Sequence, residues 1–267
     1  AVGPPVDQPV PVEEFHSTVL RITGHPLRGE PLWLKRYRNV TRQAEAYRRG
    51  RVFLAGDAAH TVAPLNGLAL CAGFQDAANL GWKLAASING WAPPGLLDTY
   101  EAERAPAGRK VCRDTQAQAE LFHPPARVGP LREIISELMQ FDEVRRYLVE
   151  TVSGLGVKYE LDGGGPGQRH ALLGSRLPQV PLKCADGEVF TYELLHAGRA
   201  VVLDVSGEPE PAKDAAAAAV GLEAWHERVE FVVAAPAPEI EAGAVLVRPD
   251  GHVAWVGNGS GAMRFAG

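Results

Sequence analysis

RVFLAGDAAHTVAPLNGLALCAGFQDAANLGWKLA (Arg51–Ala85) contains four pieces in order. A short β-branched and apolar run, Arg51–Ala55, reads as a buried parallel strand, because its apolarity is nearly continuous. Gly56 then permits a turn that a side chain would obstruct. Asp57 follows at the carboxyl end of the strand, where a carboxylate can accept hydrogen bonds from sugar-type hydroxyls. A loop of small residues leads to a helix expected to begin near Gly73. Its N–H groups and positive dipole end would face the loop and favour an anionic or electron-rich ligand. Ala77, Ala78, Gly81, Leu84, Ala85 and Ile88 recur along it at three- and four-residue steps and predict a buried stripe of small residues.

Helices are predicted on either side. PVEEFHSTVLRITG (11–24) has Glu13 and Glu14 in its first turn and Gly24 to end it. Residues 96–121 form a second helical stretch with a kink at Pro106. A third, about 129–152, carries Leu131, Ile134, Ile135, Leu138, Phe141, Val144, Tyr147 and Leu148 on one face. Between the first helix and Arg51, residues 31–48 read as extended edge segments (Leu32, Leu34, Tyr37, Val40).

LDGGGPGQRH (161–170) is a Gly-rich linker and predicts a domain boundary. Beyond it the pattern is βαβ followed by ββ: strand 200–205, an Ala-rich helix about 211–220, strand 229–234, and AVLVRPDGHVAWVG (244–257). In the last, Pro-Asp-Gly separates two alternating runs, a hairpin signature.

Composition narrows the class. The chain has 267 residues, 22% of them charged, with a net charge of −5. This balance suits a globular protein and gives no sign of a nucleic-acid-binding face. No apolar run approaches the ~20 residues that span a bilayer. AVGPPVDQPVPVEEF (1–15) lacks the basic stretch and apolar centre of a signal peptide. Cys71, Cys112 and Cys184 form no CxxC pair, so a disulfide framework is not expected. These features predict a reducing, cytoplasmic setting. The histidines show no metal-ligand spacing, and no GxSxG elbow is present.

RVFLAGDAAH, Pro64, Gly67, Leu70, Gly73 and QDAANLGWKLA resemble the second flavin-binding motif of class A FAD-dependent aromatic hydroxylases, the para-hydroxybenzoate hydroxylase type. TRQAEAYRRG, GLLDTYEAERAP, LLHAGRAVVLD and VLVRPDGHVAWVG extend the likeness to hydroxylases that tailor angucycline, anthracycline and tetracycline polyketides. The resemblance covers essentially the whole chain. It implies an α/β fold: part of a glutathione-reductase-like FAD-binding domain with long helices, then a thioredoxin-like α/β domain. Residues 1–50 would be a remnant of the substrate-binding sheet, 51–160 the C-terminal part of the FAD-binding domain, and 170–267 the thioredoxin-like domain, structural rather than redox-active for want of a CxxC.

The resemblance also implies FAD as cofactor and NADPH as transient reductant. The reaction would be hydroxylation of a polycyclic aromatic polyketide through a flavin C4a-hydroperoxide. Gly56 and Asp57 would belong to the cofactor site, with Asp57 hydrogen-bonding the ribityl chain. Pro64 would lie beside the isoalloxazine ring, and Asn66, Gly67, Leu68, Ala69, Leu70 and Cys71 would surround it. The N–H groups of Leu70 and Cys71 would face the N1–C2=O edge.

Two departures stand out. No GxGxxG fingerprint occurs in residues 1–50, and family chains are about twice this long. The family loop reads P-x-G-G-Q-G-L-N-x-G, but here it is P-L-N-G-L-A-L-C-A-G (64–73). Asn66 and Ala69 therefore replace glycines, Leu68 a glutamine and Cys71 an asparagine. Three explanations follow. The chain is a piece of a longer hydroxylase; or it is one subunit, non-catalytic by itself, of a two-chain oxygenase whose second chain carries the GxGxxG half; or it is a flavin-independent relative, such as a cyclase, dehydratase or rearrangement enzyme. The first is favoured, because a central sheet cut in half would expose long strand edges.

Other side chains have plainer readings. His60 is expected to pack or hydrogen-bond near the cofactor. Cys71 is expected to be a small buried group, although a helix N-terminus would lower a thiol pKa. Glu101, Glu103 and Arg104 read as helix-surface ion pairs. Lys35, Arg36, Arg38, Arg42, Arg48, Arg49 and Arg51 form either a solvated strand face or an attractive field for the FAD diphosphate or NADPH.

Overall fold

The computed structural model describes residues 5, 7–36, 40–161, 170–207, 225 and 227–257. It divides into two units, residues 1–40 and 41–267. The first contains helix α1, Val12–Thr23. It ends where expected, because Gly24 takes the left-handed conformation at φ 73° and its N–H donates to the Leu20 carbonyl. In this unit Arg36 grips Glu14 through two hydrogen bonds of 2.6 Å. Residues 31–36 and 40 form no strand.

The second unit opens with four two-residue strands. β1 (Arg42–Gln43) pairs antiparallel with β4 (His60–Thr61), and β2 (Arg48–Arg49) pairs antiparallel with β3 (Val52–Phe53). The expected buried parallel strand at Arg51–Ala55 is therefore corrected. Gly50 at φ 60° folds the chain back, so Arg48 faces Phe53 across a hairpin, and Val52 is 64% exposed. Four helices follow: α2 (Leu68–Ile88), α3 (Asp98–Glu120), α4 (Pro125–Leu138) and α5 (Asp142–Ser153). α3 runs through Pro106.

The single helix expected over 129–152 is two. The chain breaks at Phe141, which is extended (φ −84°, ψ 125°), and Asp142 and Glu143 then occupy the first turn of α5. The apolar face is open among the described residues: Leu131, Ile134, Leu138, Phe141 and Tyr147 are all exposed.

The C-terminal portion holds the larger apolar core. A hairpin of β5 (Pro181–Cys184) and β6 (Gly187–Phe190) precedes a four-stranded sheet. Its strands are β7 (Ala200–Asp204), β8 (Val229–Val233), β9 (Ala244–Val247) and β10 (Val253–Gly257), in the order β10-β9-β7-β8. β7 and β8 are parallel, and β9 pairs antiparallel with β7 and β10. The βαβ-then-hairpin reading holds for these strands, and the hairpin turn is Arg248–Gly251 with Gly251 at φ 82°. Leu177, Leu182, Val201, Leu203, Val245, Val247 and Val253 fill one face of the sheet. The predicted helix about 211–220 and most of the Gly-rich linker lie outside the described residues. Among the described residues no helix is long and apolar enough to cross a membrane.

Candidate functional site

The motif turn is seated on α2 by two glycines and one carboxylate. Ala55 arrives extended, and Gly56 turns at φ 58°. The turn Gly56–Ala58 is closed by the Ala59 N–H donating to the Gly56 carbonyl at 2.9 Å. Gly56 lies directly against Gly73: a Cβ on Gly73 would sit 3.4 Å from the Gly56 Cα. The Gly56 N–H donates to Asp76 Oδ2 at 2.9 Å. Asp57, the next residue, is exposed, and among the described residues its carboxylate has no hydrogen-bond or ion-pair partner. It is free to accept hydroxyl donors.

α2 begins at Leu68, five residues earlier than the periodicity predicts. The shift comes from two consecutive left-handed residues, Asn66 at φ 53° and Gly67 at φ 70°. Asparagine is among the side chains that tolerate this region best, which is why it can stand where the family motif has glycine. Its amide donates to Gln118 Oε1 at 2.8 Å. The early start also changes which donors are open. The Cys71 N–H is committed to the Gly67 carbonyl at 3.0 Å, and the Leu68 N–H to Leu65. Among the described residues, the first-turn amides without a partner are those of Ala69 and Leu70, whereas the Leu70 and Cys71 pair was expected. Pro64, Asn66, Gly67 and Leu70 are exposed, Ala69 and Cys71 half-buried, and Leu68 buried.

Half of the buried face of α2 is polar. Leu68, Ala72, Asp76, Asn79, Lys83 and Ala86 point inward. The predicted small-residue stripe faces out instead: Ala77, Ala78, Gly81 and Ala85 are exposed and Ile88 is 82% exposed. The reason is electrostatic. α3 and the C-terminal hairpin present Glu103, Arg104, Arg248 and Asp250 to α2, and buried charges require partners.

Asp76 accepts from His60 Nε2 at 2.7 Å and from Arg104 Nε at 2.6 Å. Arg104 also donates to Gln75, to the Ala72 carbonyl and to the Tyr159 hydroxyl, each at 3.2 Å. Glu103 receives Arg248 through two 2.8 Å hydrogen bonds, Lys83 Nζ at 2.9 Å and Asn79 at 2.6 Å. Asp250 accepts from Arg248 at 2.6 Å, Asn79 at 3.2 Å and Trp82 Nε1 at 3.3 Å.

Desolvation pulls the Asp76 carboxyl up, but the His60 hydrogen bond and the Arg104 charge outweigh it and hold it below its ordinary value. At Glu103 burial is likewise outweighed, by the Arg248 hydrogen bonds and charge. Burial pushes the Lys83 ammonium down to about 8 against the pull of Glu103.

His60 is hydrogen-bonded and buried, as expected. Glu103 and Arg104 are not helix-surface pairs: both are buried between α2, α3 and the hairpin. Of the basic stretch, Arg36 is tied to Glu14, and Arg48 bonds Asp98 and lies 5.0 Å from the Phe53 ring centre. Arg38 lies outside the described residues. The inward residues Asp76, Asn79 and Lys83 went unread in the sequence, although their spacing of three and four marks one helix face.

The turn and the α2 N-terminus fit the ribityl and ring end of a flavin: an unpartnered carboxylate beside a side-chain-free approach, and two open amides at a positive dipole end. No Gly-rich loop for a pyrophosphate occurs among the described residues.

Comparison with known proteins agrees with this geometry. Residues 7–115 match the FAD binding domain model, and residues 170–266 match that of the aromatic-ring hydroxylase C-terminal domain. The dialkyldecalin synthase of Streptomyces rugosporus is 47% identical over 95% of this chain and 48% of its own length. A rifampicin monooxygenase of Rhodococcus hoagii is 43% identical over 94% and 48%. The crystal structure of CabE, an aromatic hydroxylase from angucycline biosynthesis, superposes with a TM-score of 0.83 at 43% identity, covering 100% of this chain and 53% of that one. The chain thus spans about half the length of the curated relatives it matches. Residues 7–115 thus resemble the FAD binding domain and residues 170–266 the C-terminal domain of aromatic-ring hydroxylases, and the chain as a whole is similar to the corresponding half of such enzymes.

Proposed function

We propose that this chain supplies the second flavin motif and the C-terminal domain of an FAD- and NADPH-dependent hydroxylase acting on a polycyclic aromatic polyketide. The observation that carries this reading is the Gly56–Asp57 turn, fixed on α2 beside the open Ala69 and Leu70 amides. When bound, FAD supplies the oxygen-activating redox chemistry, and NADPH the reducing equivalents. Asp57 accepts hydrogen bonds from the ribityl hydroxyls. The Ala69 and Leu70 amides stabilise negative charge on the ring edge. Pro64, Asn66, Gly67, Leu68 and Cys71 complete the wall of the cofactor site, and the exposed side chains among them border the substrate.

The pyrophosphate is assigned to the GxGxxG-bearing half of the enzyme, on the same or a second chain. That half covers the outward face of α2, where Phe74 is 66% and Ile88 82% exposed. We read residues 1–50 as the end of the substrate-binding sheet, 51–160 as the rest of the flavin domain and 170–267 as a separate structural domain. Three widely spaced cysteines with no CxxC pair suit a reducing cytoplasm.

A second reading is a flavin-independent cyclase-type enzyme on the same scaffold. It draws support from the changed loop, Asn66, Leu68, Ala69 and Cys71, and from the similarity to a dialkyldecalin synthase.

Intact mass and a visible spectrum of the purified protein separate the two. A flavin spectrum, or its appearance when FAD and the complementary half are added, is the expected result. A colourless protein that takes up no FAD under either condition overturns the hydroxylase reading and favours the second.

A further inference from the structure

We propose that the tip of the C-terminal hairpin, Arg248–His252, is a positioning element for the Gly56–Asp57 turn, acting through Tyr159 and Arg104 on Asp76. The consequence for FAD rests on the function proposed above; the coupling itself does not.

Each link is a direct contact, and the side chains from Asp76 to the hairpin tip are buried. Asp76 is fully buried, and one carboxylate does two jobs. Oδ2 holds the Gly56 amide and His60, while Oδ1 is held by Arg104. The rotation of that carboxylate therefore fixes where Gly56, and so Asp57, stands. Arg104 is itself oriented by the Tyr159 hydroxyl. Tyr159 is gripped by the hairpin: its ring stacks on His252 with centroids 4.1 Å apart and planes at 28°, and the Arg248 guanidinium lies 5.3 Å from its centre. The residue beside Arg104, Glu103, takes both arms of Arg248. Undocking the tip would take from Glu103 two of its four hydrogen bonds and loosen Tyr159, and each loss falls on the α3 segment that orients Asp76. Apolar packing alone would hold two domains together without aiming a side chain; this contact aims one.

Spatial continuity alone does not establish coupling, so the test measures it directly. Residue-resolved amide exchange by NMR on the flavin-free full chain reports on the Gly56 N–H. Tyr159→Phe deletes only the hydroxyl and keeps the ring stack. Asp250→Asn keeps the shape of the tip and removes its charge. Val202→Ala, at a fully buried site in the C-terminal sheet outside the network, controls for general loss of stability. The expected result is Gly56 exchange about ten-fold faster in the first two variants and unchanged in the third at matched thermal midpoint. Unchanged exchange in the first two, or an equal rise in all three, overturns the proposal.

Titration with FAD, in the presence of the complementary half, adds the functional arm. The dissociation constant is expected to rise by a similar factor in Tyr159→Phe. If the wild-type chain takes up no FAD, the hydroxylase reading fails while the exchange result still decides the coupling.

Discussion

Arg248 and Glu103 lie 145 positions apart in the chain and meet through two hydrogen bonds of 2.8 Å in a space almost closed to water. Charges so buried hold a structure together only as a set, because a partner left alone is far costlier than the pair. Arg248→Met and Glu103→Gln are each expected to lower unfolding stability by about 3–5 kcal/mol. The double variant should lose at least ~1 kcal/mol less than the sum. Urea denaturation of the four proteins reads this out, and strict additivity would show that the two do not interact.

Gly108 makes room for Tyr47. A Cβ there would lie 2.1 Å from the Tyr47 hydroxyl oxygen and 3.3 Å from His60 Cδ2. Tyr47 is fully buried and its hydroxyl accepts a hydrogen bond from Gln43, so it has little room to move. Gly108→Ala, which in an open helix would be stabilising, is expected to cost about 1–3 kcal/mol. Tyr47→Phe in the same chain should recover part of that loss. If Gly108→Ala alone raises the thermal midpoint, the packing described here is wrong.

The buried network makes stability depend on pH in three windows. Asp76, Glu103 and Asp250 titrate below their ordinary values, so their contribution is full above the usual carboxylate range and lost as pH falls through and below it. Lys83 titrates at about 8 instead of 10.5. The unfolded chain therefore holds the extra proton between those values, and stability should rise by about 1–3 kcal/mol as pH climbs through that window. Burial pushes the Tyr47 phenol up to about 12, so its contribution is full below pH 10 and lost between 10 and 12. Chemical denaturation at pH 7.5 and 9.5 should show the rise in wild type and not in Lys83→Met.

Much of this was legible in the sequence, and the failures share a cause. The ends of α1, the span of α3 and the C-terminal hairpin are written in local signals: Gly24, the acidic first turns and Pro249–Asp250–Gly251. The inward face of α2 is not, because its partners come from far along the chain. Periodicity finds apolar stripes, and here it chose Ala77, Ala78, Gly81, Leu84, Ala85 and Ile88, while the described fold buries Asp76, Asn79 and Lys83. Under the function proposed above, the apolar stripe is the face that the complementary half covers. The early start of α2 was hidden because Asn66 does a glycine's work.

Asn66 offers a direct check on that last point. Its left-handed backbone should accept glycine with little change and reject a β-branched residue. Asn66→Gly is expected to stay within ~0.5 kcal/mol of wild type, and Asn66→Val to lose about 1–3 kcal/mol. Equal stabilities for the two would mean that the loop does not take the conformation described.

Asp57 separates cofactor binding from folding more cleanly than any other position. Its carboxylate is exposed and has no partner among the described residues, so removing it withdraws nothing from the fold. The thermal midpoints of Asp57→Ala and Asp57→Asn should match wild type. The proposed role is to accept hydroxyl hydrogen bonds as a charged acceptor, worth about 1.5–3 kcal/mol apiece where water is excluded. Asp57→Ala should therefore raise the FAD dissociation constant at least ten-fold, and Asp57→Asn, which keeps one neutral acceptor, by less. Fluorescence titration of FAD into each variant with the complementary half present gives the order. An Asp57→Ala chain that binds FAD as tightly as wild type would remove Asp57 from the site. A chain that loses FAD together with its thermal midpoint would make Asp57 part of the fold's own support.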